Sequence, residues 1–112
     1  MNKLMIVDDH AGVRILIREL VASGQDQVRE FASGEEAIRE APQFQPDCIT
    51  MDLRMGGIGG IPAIQVLRRT CPAAQIFVVS AFDQPDLRRS TRALAVSTAI
   101  AVALLAAGSL VG

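Results

Sequence analysis

The sequence predicts a single α/β domain built on a parallel β-sheet. Short apolar runs alternate with segments of helical periodicity in the order βαβαβαβα, which is typical of parallel sheets with helices on both faces. At 112 residues, half of them apolar, the chain has room for one core and no separate output module. Its formal net charge of −1 gives no general attraction to nucleic acids or anionic membranes.

The first half of the chain contains two strand–helix units. Residues 4–7 form a continuous apolar run typical of a strand buried on both faces. The helix that follows can be capped by Asp9 or His10, and its apolar residues recur at helical spacing: Val13, Leu16, Ile17, Leu20 and Val21. Gln27–Phe31 is the second predicted strand. Ser33 and Glu36 form a capping box, and we expect their helix to end at about Ala41, because Pro42 and Pro46 follow.

The second half repeats the alternation. Its predicted elements are a strand at 48–51, a helix at 61–70, a strand at 75–79 and a helix that is opened by residues 83–86. Pro62 suits the first turn of a helix, and Ile64, Val66 and Leu67 are expected to face the core.

Polar side chains follow three of the predicted strands. Asp8 and Asp9 come after the first strand, Asp52 after the third and Ser80 after the fourth. In open parallel sheets, ligands bind outside this carboxyl edge. A carboxylate at the end of a buried strand is costly without a partner, so we predict a cation site and a reactive carboxylate here. Helix capping is the other interpretation of the first pair, and we expect His10 to face solvent rather than bind a metal.

Three segments, taken together in this order, resemble the receiver domain of two-component response regulators: Val7-Asp8-Asp9-His10, the strand PDCITMDLRM at 46–55, and Val78-Val79-Ser80-Ala81. The first has the form common among regulators with a helix-turn-helix output of the LuxR or NarL type. The resemblance covers residues 3 to about 92, so we divide the chain into a receiver-like domain, 1–92, and a tail, 93–112. It implies a flavodoxin-like, doubly wound parallel sheet whose fifth strand and last helix are atypical or missing.

The resemblance also implies the chemistry of the site. Asp52 would be the phosphoacceptor, and Ser80 would hydrogen-bond a phosphoryl oxygen. Mg²⁺ would be held by Asp9, Asp52 and the backbone carbonyl of Arg54, and by Asp8 through a bridging water. Without the cation, carboxylates this close should repel, and at least one should resist ionisation.

The function implied is phosphorelay signalling in the cytoplasm, with a histidine kinase or phosphotransfer protein as donor, rather than turnover as an enzyme. We expect no direct contact of this chain with nucleic acid. The alternative is a phosphorylation-independent interaction module whose acidic pocket is vestigial. A phosphatase of the haloacid dehalogenase type is disfavoured, because Arg54 stands where that family has a second aspartate.

Three departures from the family pattern concern the site. Gly56-Gly57-Ile58-Gly59-Gly60 stands where the family usually has Pro-Gly-x-Asp-Gly, so we expect a looser loop. The family's lysine at the end of strand five has no counterpart, since the chain's one lysine is Lys3. The aromatic residue of strand five is also missing, because the last aromatic residue is Phe82.

The tail, 93–112, carries no charge and admits three interpretations. It is an altered or truncated receiver end, a degenerate fifth strand that buries Ile100, Val102 and Leu104, or a membrane helix about 30 Å long whose insertion would be marginal. Because alanine and leucine favour helix, we lean toward a helix from about residue 86. In the first two of these interpretations, exposed apolar surface predicts self-association.

Overall fold

The computed structural model describes residues 2–79, in which strands and helices alternate as predicted. The elements are β1 Lys3–Val7, α1 Ala11–Val21, β2 Gln27–Phe31, α2 Gly34–Phe44, β3 Cys48–Asp52, α3 Gly60–Thr70 and β4 Gln75–Val79. The predictions for Ser80, for the helix that begins at residues 83–86 and for the tail lie outside the described residues.

The four described strands form one parallel sheet in the order β2-β1-β3-β4. This is the order of a flavodoxin-like doubly wound sheet, so the predicted fold class is confirmed for this part of the chain. In the register of β1 and β3, Val7 pairs with Met51. The two central strands therefore end side by side, and the residues that follow them meet at one edge.

The two faces of the sheet bury different sets of side chains. The larger cluster lies under α2 and α3 and includes Met5, Ile49, Met51, Ile64 and Leu67, all fully buried. On the other face, Ile17 of α1 packs with Ile6 and Val79. Within residues 2–79, no helix is long and apolar enough to cross a bilayer. The membrane interpretation concerned residues 93–112, beyond this range.

Helix α1 presents a narrower apolar face to the sheet than its sequence pattern indicates. Ile17 is buried, and Val13 and Val21 pack partly against the same cluster. Leu20, which the helical spacing grouped with them, is 53% exposed. The spacing identifies a stripe of the helix, whereas burial depends on how closely each part of that stripe approaches the sheet.

Helix α2 begins as predicted and ends later. Ser33 Oγ accepts the N–H of Glu36 at 3.2 Å, and the Glu36 carboxylate accepts the N–H of Ala32 at 3.2 Å. The expectation that the helix stops near Ala41 was wrong, because it continues through Pro42 to Phe44. Pro42 removes one helical hydrogen bond and crowds the carbonyl four residues earlier, but Phe44, which lies beyond it, is buried in the core, and this burial outweighs the loss.

Candidate functional site

The carboxyl edge of the sheet gathers the predicted acidic residues into one cluster. Asp8, Asp9, His10 and Asp52 each offer a ligand atom, and these atoms lie within 4.8 Å of one another. The juxtaposition follows from the pairing of β1 with β3, which ends both strands at the same level. Ser80, the remaining predicted side chain, lies outside the described residues.

Asp8 is held from several directions. Its side chain is buried, and Oδ1 accepts the backbone N–H of His10 at 2.8 Å. Its own N–H donates to the carbonyl of Phe31 at 3.0 Å. No side chain caps the first turn of α1, whose N-cap residue is His10. The capping interpretation of Asp8 and Asp9 is therefore not what the structure shows, and both carboxylates belong to the cluster.

Asp52 is the last residue of β3 and is only 8% exposed. Burial raises the pKa of this carboxyl, the charges of Asp8 and Asp9 raise it further, and the N–H of Arg54 opposes the shift. That N–H donates to Asp52 Oδ1 at 3.0 Å and so fixes the orientation of the carboxylate. The carbonyl predicted as a metal ligand belongs to the same residue, Arg54.

His10 combines exposure with a role in the cluster. Its side chain is 70% exposed, as expected for a solvent-facing residue, yet Nδ1 lies 2.8 Å from Asp9 Oδ1 and 3.2 Å from Asp8 Oδ1. The hydrogen bond with Asp8 raises the imidazole pKa, and the charge of Asp9 adds to the effect. Sequence reasoning missed this ion pair, although His10 directly follows the two aspartates.

A second network, not predicted from the sequence, supports Asp8 from α1. Arg14 Nη1 donates to the Asp8 carbonyl at 2.6 Å, and its Nε lies 3.2 Å from Glu30 Oε1. Arg18, one turn later, reaches Glu30 Oε2 at 2.8 Å. The spacing of the two arginines was a usable signal, because residues i and i+4 share a helix face. Their common partner on β2 depends on the strand order.

The donor set fits Mg²⁺ on chemical grounds. Mg²⁺ takes oxygen ligands and retains several waters. Asp8 and Asp52 are buried, whereas the side chain of Asp9 is 39% exposed, which leaves the cluster accessible from solvent. Asp8, Asp9 and Asp52 would hold the cation, with the carbonyl of Arg54 as a further ligand. Neighbouring carboxylates in such a site repel one another, and a bound cation would relieve that repulsion.

Asp52→Asn should stabilise the metal-free protein at pH 7. A carboxyl whose pKa is higher in the folded than in the unfolded state makes stability fall as pH rises through that interval. Asparagine removes this penalty and keeps an oxygen for the N–H of Arg54. We expect the free energy of unfolding to rise by about 0.5–2 kcal/mol, measured by urea denaturation followed by circular dichroism.

The gain should fade below pH ~4, where the carboxyl is neutral in both states. Glu19→Gln, on the exposed surface of α1, removes the same charge away from the cluster and should change little. Equal or lower stability of Asp52→Asn at pH 7 would contradict a destabilising carboxylate.

Comparison with known proteins identifies the family. The sequence model described as the response regulator receiver domain matches residues 4–101, well over half of the chain. The match runs into the uncharged segment that begins at residue 93, and the division at residue 92 stays a prediction. The chain belongs to the response regulator receiver domain family.

Two curated relatives are similar to about three quarters of this chain. Chemotaxis protein CheY of Thermotoga maritima is 34% identical over 84 residues, which are 74% of this chain and 70% of the relative. Response regulator GacA of Pseudomonas syringae is 35% identical over 86 residues, which are 75% of this chain but 40% of GacA. The chain thus spans less than half the length of this second relative.

Solved structures support the fold. Chemotaxis protein CheY4 of Vibrio cholerae superposes with a TM-score of 0.77 at 21% identity, over 87% of this chain and 82% of that one. A LuxR-family response regulator from Aurantimonas gives 0.74 at 28% identity, over 86% and 70%. The likeness to CheY4 concerns the fold alone. The second protein is of the LuxR family, the type that Val7-Asp8-Asp9-His10 resembles.

Proposed function

We propose that this chain is a phosphoacceptor: Asp52 receives a phosphoryl group in two-component signalling, with Mg²⁺ bound beside it. The observation that carries the proposal is the cluster in which Asp8, Asp9 and Asp52 offer ligand atoms within 4.8 Å of one another. Phosphoryl transfer depends mainly on positioning and charge neutralisation. The bound cation would supply that neutralisation between the carboxylates and the phosphoryl oxygens.

The chain's own residues would act as follows. A carboxylate oxygen of Asp52 attacks phosphorus while the bond from phosphorus to the donor breaks, and the donor atom, a histidine nitrogen or an acetyl phosphate oxygen, keeps the bonding electron pair. The product is an acyl phosphate on Asp52. The N–H of Arg54 orients the attacking carboxylate, Asp8 and Asp9 would hold the cation, and Ser80 would hydrogen-bond a phosphoryl oxygen.

The proposal extends to partners and location. The donor would be a histidine kinase or phosphotransfer protein in the cytoplasm, and the chain would relay the phosphoryl group rather than turn over a substrate. We propose that this chain does not bind nucleic acid directly. We also propose that it self-associates through the apolar residues of 93–112.

Acetyl phosphate with Mg²⁺, followed by intact mass measurement, tests the proposal. The wild-type chain should gain the mass of one phosphoryl group, and Asp52→Asn should gain none. Omission of Mg²⁺ should abolish the adduct. Absence of any adduct on the wild type, or an equal adduct on Asp52→Asn, would overturn the assignment.

The adduct should form slowly because the family's lysine is missing. Lys3, the chain's one lysine, begins β1 at the opposite edge of the sheet, where its Nζ lies 5.8 Å from the centre of the Phe44 ring. A charge-assisted hydrogen bond is worth about 1.5–3 kcal/mol, so we expect phosphorylation roughly tenfold to 150-fold slower than in the CheY of Thermotoga maritima, measured under the same conditions. Equal rates would mean that another group replaces the lysine.

The missing lysine and strand-five aromatic also favour a second candidate, an interaction module that works without phosphorylation. Its signature would be the absence of an adduct, together with partner binding that Asp52→Asn leaves unchanged. Binding that strengthens or weakens when the adduct forms would exclude this candidate.

A further inference from the structure

The loop that follows Asp52, residues 53–59, is tied to helix α2 by a side chain that the family resemblance does not assign. Glu35 lies in the first turn of α2. Its Oε1 accepts the backbone N–H of Ile58 at 2.9 Å, across 23 positions of sequence. Because Glu35 stands near the N-terminus of a helix, the helix dipole favours its negative charge at this point. The loop thus has a fixed attachment outside its own backbone.

Gly57 shows how closely the carboxylate sits on the loop. Its φ is +71°, a conformation that favours glycine. A Cβ at this position would lie 2.5 Å from Oε2 and 2.6 Å from Oε1 of Glu35. The two carboxylate oxygens therefore occupy the space that a side chain would take, and a larger residue here would have to displace the Glu35 carboxylate as well as adopt a strained φ.

The far end of the loop is packed just as closely. A Cβ on Gly60 would lie 2.5 Å from the carbonyl oxygen of Asp52 and 2.6 Å from the Cα of Leu53. A Cβ on Gly34 would lie 3.0 Å from the Cβ of Ala63. The start of α2, the start of α3 and the end of β3 are therefore in direct contact, and the loop between them is held at both ends.

We propose that Glu35 is a positioning residue for the phosphoacceptor site. It contacts no reacting atom. It fixes the loop at Gly57 and Ile58, and through the loop it holds the Arg54 segment where the backbone would bind the cation. Glycines in place of proline and aspartate remove the usual restraint of this loop, and Glu35 supplies a restraint from the neighbouring helix. This inference rests on the proposed function of Asp52.

The test compares Glu35→Ala with Glu35→Gln, whose amide oxygen can still accept the Ile58 N–H. Glu40→Ala, on the same helix, is the matched loss of charge. Two quantities are measured on the full chain: hydrogen exchange of the Ile58 amide, and Mg²⁺ affinity from amide shifts of residues 52–59. Glu35→Ala should speed the exchange and raise the Mg²⁺ concentration for half-saturation roughly threefold to tenfold. Glu35→Gln should recover most of both, and Glu40→Ala should resemble the wild type.

A general loss of stability would change the amide exchange and the Mg²⁺ affinity of Glu35→Ala and Glu40→Ala alike, and Glu35→Gln would not restore them. Unchanged exchange and unchanged Mg²⁺ affinity in Glu35→Ala would overturn the inference. Failure of the proposed function appears separately, as a wild-type chain that forms no adduct with acetyl phosphate, since both readouts above are made without a phosphodonor.

Discussion

Asp9→Ala should raise the Mg²⁺ concentration for half-saturation at least tenfold. Asp9 contributes one of the three carboxylates, and it is the one most open to solvent, where a hydrated cation would enter. Loss even of an outer-shell partner typically costs a metal site roughly 10- to 100-fold in affinity, and loss of a direct ligand should cost no less. The chain has no Trp and no Tyr, so amide shifts in two-dimensional NMR, rather than intrinsic fluorescence, are the measurement.

Glu19→Ala is the control for Asp9→Ala. It changes the net charge equally, but it lies in the second half of α1, away from the cluster. Its titration should match that of the wild type. Asp9→Ala with unchanged affinity, or a wild-type chain without Mg²⁺-dependent shifts near residues 8–10 and 52–54, would rule out the predicted site.

Gly60→Ala should damage both stability and the site. The added methyl group would meet backbone atoms, the carbonyl oxygen of Asp52 and the Cα of Leu53, which cannot turn away as a flexible side chain would. Overpacking of this kind costs about 1–3 kcal/mol, and the better helix propensity of alanine offsets only about 1 kcal/mol of it. We expect a lower urea midpoint by circular dichroism and weaker Mg²⁺ binding, because the end of β3 must shift.

Gly56→Ala, in the loop that precedes Gly60, is the matched control. A Cβ there has no neighbour within 4 Å, and Gly56 does not have a positive φ. It should change the free energy of unfolding by less than about 0.5 kcal/mol. Comparable losses in the two variants would mean that the loop tolerates no side chain at all, which would contradict a specific contact at Gly60.

The candidate site was predictable because it depends on a regular feature of the fold. In a parallel sheet, every strand ends at the same edge, so Asp8, Asp9 and Asp52 could be placed together from hydrophobic runs alone. The supporting contacts were not predictable in this way. Arg14 reaches Asp8, and Glu35 reaches Ile58, across gaps in sequence that no periodicity describes.

Local signals failed where packing competed with them. Proline is a strong helix terminator in sequence reasoning, yet α2 continues through Pro42 because Phe44 is buried beyond it. Helical spacing grouped Leu20 with the apolar stripe of α1, yet the helix does not bring this side chain to the sheet. In both cases, packing against neighbours distant in sequence, rather than the local pattern, decided the outcome.

Three features could be inferred from local patterns of the sequence: the alternation of strands and helices, the edge at which the carboxylates gather and the resemblance to the receiver family. These follow from short-range patterns, since the period of apolar residues and the residue after each strand are local properties. Folding of the whole chain, by contrast, places β1 beside β3, brings Arg14 and Arg18 to Glu30, and brings Glu35 to the loop beside Asp52. Strand order and helix placement are set by the packing of the whole core, and contacts between separate elements follow from that packing.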